Sequence, residues 1–184
     1  MRIRGIAKKL LSKSPSLYAS IHTNNFERNH KQDFTKVDVK AKKILLDIQQ
    51  NGFTVLPEFF DTNFCSACIK DIDWMLENKK EFVHTQSDLR VFGAEDLSEN
   101  ISKFANHELF DSLANTYNAT PTCNAFTLAG KIVYSVQEFG SGGSWHRDSI
   151  FRQFKSIVYL TDVDENNGPF EMIINSHIPK QIKK

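Results

Sequence analysis

The sequence predicts an α+β fold, and three observations carry that prediction. Apolar residues recur at helical spacing through the first two thirds of the chain. Short runs rich in β-branched and aromatic residues cluster after Cys123. The 184 residues, 40% of them hydrophobic, suffice for one domain with a core and are too few for two ordinary ones. No run approaches the roughly 18 apolar residues of a spanning helix.

The elements follow in order. Ile3, Ile6, Ala7, Leu10 and Leu11 have helical spacing among basic residues, and Pro15 stops the pattern. Three readings stand for this segment: a basic amphipathic helix at a membrane surface, an organelle transit peptide, or a loosely docked terminal helix. Ala41, Ile44, Leu45 and Ile48 predict a helix over 37–50, with Gly52 just past its end. Phe53 to Leu56 read as a short strand closed by Pro57. Asp61 is a natural N-cap for a helix whose stripe is Phe64, Cys65, Cys68, Ile69, Ile72, Met75 and Leu76. A strand is expected near 88–92 and helices near 97–105 and 107–117, with Leu109, Phe110, Leu113 and Ala114 facing inward. Four late strands are expected within 123–130, 131–139, 154–163 and 168–176, the last two joined by a turn at Asn166-Asn167-Gly168.

Charge divides the chain. Residues 1–31 hold seven Lys/Arg against Glu27 alone, a net +6, whereas the remainder is −5. Residues 1–36 are therefore read as a basic arm and 37–184 as the folded domain. The overall charge of +1 argues against a dedicated nucleic-acid binder. Three cysteines make no disulfide framework, which favours a reducing compartment. A cytoplasmic location is expected, or a mitochondrial one if the arm is a transit peptide.

Chemistry concentrates between Gly140 and Ser149 (GSGGSWHRDS). On an extended chain, residues two apart share a face. His146 and Asp148 thus aim an imidazole nitrogen and a carboxylate oxygen at one point, two thirds of the two-His, one-carboxylate set that holds non-haem Fe(II). Arg147 faces the other way. A surface salt bridge is the commoner reason for His-x-Asp taken alone. Other candidates are weaker. Cys65 and Cys68 form C-x-x-C but lie on a helix's apolar stripe, where core packing explains them; Cys123, at a strand start, reads the same way. His22, His30, His84 and His107 lack paired ligands. Gly140, Gly142 and Gly143 are followed by no Lys-Ser/Thr, so no phosphate loop is read. Asp162, Asp164 and Glu165 flank a turn, a better explanation than Ca²⁺ binding.

From about residue 50 onward the chain resembles the phytanoyl-CoA dioxygenase family. The family's G-[FY]-x-V-L-P-x-F element is matched by Gly52 to Phe59 (GFTVLPEF), and its W-H-x-D segment by Trp145 to Asp148. Its apolar strand ending in an acidic turn is matched by Ile157 to Asp164, its N-G-P segment by Asn167 to Pro169, and its G-S-H turn by Asn175 to His177. The resemblance implies a double-stranded β-helix, a jelly-roll relative of the cupins, with helices packed on it. It implies a hydroxylase that uses Fe(II) and 2-oxoglutarate, with His146 and Asp148 as metal ligands. Tyr134, on the strand before His146, would bond 2-oxoglutarate or pack as a core aromatic. Arg147, where Gln is frequent in the family, would contact a 2-oxoglutarate carboxylate or form a salt bridge. The family's third ligand, a His, and its 2-oxoglutarate-binding Arg lie many tens of residues after His-x-Asp, whereas thirty-six residues follow Asp148 here. The expectation is therefore a partial barrel with C-terminal strands missing and little or no turnover. His177 matches a turn position that is not a ligand in the family. The alternative is a non-catalytic module that pairs its open sheet edge with a partner or a second copy.

Overall fold

The computed structural model describes residues 13–85, 89–132, 145–149 and 152–178. Helix starts follow local chemistry. Asp38 accepts from Ala41 N at 2.8 Å and opens α2 (Val39–Asn51); Asp61 accepts from Phe64 N at 2.8 Å and opens α3 (Thr62–Asn78). Ser98 and His107 cap α4 (Glu99–Ala105) and α5 (Glu108–Asn118). Gly52 ends α2 with φ +91°, the left-handed conformation that a residue with Cβ adopts at a cost. Upstream, Pro15 opens a helix rather than ending one. It stands at the start of α1 (Pro15–Asn29), where its missing N–H is no loss. The segment Ile3–Leu11 lies outside the described residues.

Three strands, β1 (Val83–Thr85), β2 (Leu89–Phe92) and β3 (Leu128–Lys131), form one antiparallel sheet in the order β1-β2-β3. Val91 pairs with Val83 on one side and Ala129 on the other, and it is completely buried. Helix α3 lies against β2 and β3. Its Cys68, Ile72 and Met75 meet Val91, Ala94, Ile101 and Ala129 in the first core cluster. The second joins Ala41, Ile44 and Leu45 of α2 to Leu113 of α5, with Phe34, Leu56, Tyr117 and Phe154 packed around it. Burial of Leu45, Met75 and Val91 stabilises the fold by about 1.5–3 kcal/mol each. Between the clusters, Phe60 stacks on Phe64 and meets Phe104 and Phe110 edge-on.

The helix periodicities therefore translate into helices at nearly the expected bounds, and the arrangement is α+β. Two strand expectations need correction. Phe53 to Leu56 carry no strand: Leu56 turns into the second cluster and Val55 is 71% exposed, and no neighbouring segment pairs with them among the described residues. Among the described residues the late runs contribute only β3. Residues 133–139 lie outside the described residues, and 154–163 and 168–176 carry no strand. The expected reversal between those two is nevertheless present. Asn167 N donates to the Asp164 carbonyl, Gly168 has φ +75°, and the Tyr159 hydroxyl accepts from Phe170 N at 2.6 Å across the turn. Asp164 spends a carboxylate oxygen on Asn166 N at 2.7 Å, a turn-forming bond. The described residues thus form one small sheet with helices against it, and they do not display the two facing sheets of a jelly-roll.

Cys68 is a core residue, as its place on the stripe predicts. Burial, then the Asp71 carboxylate and Cys65, push its thiol up to about 11. Cys123 is exposed. Iodoacetamide at pH 8 is expected to modify Cys123 quickly and Cys68 only after denaturant is added, as read by peptide mass spectrometry. Labelling of Cys68 in the folded protein at the Cys123 rate would contradict this packing.

Candidate metal centre

The residues after Asp148 are pinned to the helices. The Arg152 guanidinium stacks between the rings of Phe26 in α1 and Tyr117 in α5 and donates to the Tyr117 carbonyl at 3.2 Å. Phe154 packs into the second core cluster beside Tyr117. These anchors hold residues 152–155 in place although they form neither helix nor strand.

Upstream of those anchors, His146 Nε2 and Asp148 Oδ1 lie 3.1 Å apart. Arg147 points elsewhere and donates to the Ser176 carbonyl. The imidazole and the carboxylate thus meet from positions two apart, with the intervening side chain turned elsewhere. Lys155 Nζ contacts the second carboxylate oxygen, Oδ2. The Lys155 hydrogen bond above all holds the Asp148 carboxyl below the ordinary carboxylate value; burial opposes it, and the charges of Lys155 and His146 add to the lowering. Both members of the His146–Asp148 pair are half exposed, so the pair adds little to stability. What the lowered Asp148 carboxyl adds, chiefly through Lys155, is present above the ordinary carboxylate value and fades as pH falls through the lowered one.

The donor set suits a divalent metal. Donors about 2.1 Å from an ion and at right angles are separated by roughly 3.0 Å. The 3.1 Å between Nε2 and Oδ1 therefore matches one edge of an octahedral site, and an imidazole with a carboxylate suits iron. No third His, Cys, Asp or Glu joins them among the described residues.

His177 forms no metal-holding group with this pair among the described residues. Its Nε2 lies 3.2 Å from the Gln49 carbonyl near the end of α2; a carbonyl only accepts, so Nε2 carries the proton. Its Nδ1 is buried without a hydrogen-bond partner among the described residues and faces Gly52, where an added Cβ would lie 2.6 Å away. Tyr134 and the loop Gly140–Gly143 lie outside the described residues. Lys155 was missed in the sequence. Its only signal is an isolated cation at the head of an apolar run.

A model of the phytanoyl-CoA dioxygenase family matches residues 48–183. No curated protein and no solved structure matches the chain. The family match covers most of the chain, including His146, Asp148 and His177, so the chain belongs to the phytanoyl-CoA dioxygenase family.

Proposed function

We propose that this chain is a dioxygenase of the hydroxylase type that depends on Fe(II) and 2-oxoglutarate, with His146 and Asp148 as its protein ligands to iron. The observation that carries the reading is the 3.1 Å pairing of Nε2 and Oδ1 in a chain of this family. When bound, iron with 2-oxoglutarate and O₂ would supply the oxidising power for C–H hydroxylation. Asp148 brings the negative charge through Oδ1. His146 would offer a lone pair at Nε2, with its ring proton on Nδ1. Arg147 has donors beyond the one engaged with Ser176 and, with Tyr134, is the candidate contact for the cosubstrate's carboxylates.

Two protein donors hold a divalent ion weakly, so turnover is expected to be slow. The full chain, given Fe(II), 2-oxoglutarate and O₂, is expected to release succinate slowly above the iron-only background. Asp148→Ala is expected to return the rate to that background. Succinate release unchanged by Asp148→Ala would overturn the reading.

A further inference from the structure

We propose that Lys155 is a built-in counter-ion that weakens divalent-metal binding at Asp148, and this rests on the reading of His146 and Asp148 as metal ligands. The geometry is specific. One carboxylate oxygen faces the imidazole at 3.1 Å and the other is taken by the Lys155 ammonium. The lysine is not placed there by chance meeting of two mobile chains. Phe154, its neighbour, is packed in the second core cluster, and Arg152 is clasped by two rings and the Tyr117 carbonyl.

The sign of the effect follows from charge. Asp148 with neutral His146 presents one negative charge, and Lys155 cancels it. A divalent ion held on Oδ1 lies a few ångström from an ammonium on the other oxygen of the same carboxylate, and like charges at that range repel. The opposite effect, in which Lys155 improves binding by orienting Asp148, requires orientation to outweigh this repulsion. His146 already lies at hydrogen-bond distance from Oδ1 and helps to orient the carboxylate without Lys155.

The test is titration of the full chain with Mn(II) alone, read by calorimetry and by fluorescence of Trp145, which is exposed next to His146. Lys155→Met keeps the length of the side chain and removes its charge. It is expected to bind Mn(II) about tenfold more tightly than the parent at low ionic strength, with the gap narrowing as salt is raised. Lys155→Arg, which keeps the charge, is expected to bind as the parent does. Binding by Lys155→Met that is equal to or weaker than the parent would overturn the proposal. Asp148→Asn is expected to remove binding in both the parent and the Lys155→Met background. Binding that survives Asp148→Asn in both would overturn the metal-site reading itself, a different failure from that of Lys155.

Discussion

Asp148→Ala and His146→Ala are each expected to weaken Mn(II) or Fe(II) binding at least a hundredfold, the largest functional effect anticipated from single substitutions. Each removes one of two donors that meet at 3.1 Å, and a single remaining donor is a poor site. The folded structure should survive both changes. The two side chains are half exposed, neither belongs to a core cluster, and surface substitutions of this kind seldom move stability by more than about 0.5 kcal/mol. Far-ultraviolet circular dichroism and urea midpoints are therefore expected to match the parent while metal affinity falls. A parallel loss of both would mean that the pair is structural.

Gly52→Ala is expected to cost about 2–3 kcal/mol of stability, the largest structural effect, from two separable causes. The backbone there has φ +91°, which a residue with Cβ resists. The added Cβ would also lie 2.6 Å from His177 Nδ1 and 2.8 Å from Met172 Cε, so the turn at 175–178 must move off the end of α2. The Gln49–His177 hydrogen bond is then lost. A double-mutant cycle with His177→Ala separates the causes. In that background the same glycine substitution should retain the backbone penalty of about 1 kcal/mol and lose much of the steric one. Additive urea-denaturation energies across the cycle would show that Gly52 and His177 do not interact.

Gly52 also illustrates how much of the fold was legible. Its role as the residue after α2 follows from Ala41, Ile44, Leu45 and Ile48 read at helical spacing. Asp38, Asp61 and Ser98 are capping residues that likewise act within a few positions of themselves. The second reason for glycine there, the ring of a residue far along the chain, has no local trace. The same distinction explains the strand errors. Phe53 to Leu56 and the runs 154–163 and 168–176 have strand-like composition, but a strand needs a neighbour, and composition does not reveal whether one is present.

At the candidate site the local part was legible and the tertiary part was not. His146 and Asp148 meet because they are two apart on one short stretch. Lys155 reaches Asp148 from a segment that Arg152 and Phe154 place against helices far earlier in the sequence. His177, read in the sequence as a turn residue and not as a ligand, has its ring committed to the Gln49 carbonyl and the surface of Gly52.

The most direct test is electron spin-echo envelope modulation on the full chain loaded with vanadyl, a paramagnetic stand-in for the divalent ion. A coupling from one imidazole nitrogen that disappears in His146→Ala and persists in His177→Ala is the predicted result. No imidazole coupling, or a coupling that persists in His146→Ala, would contradict the assignment of the metal to His146 and Asp148.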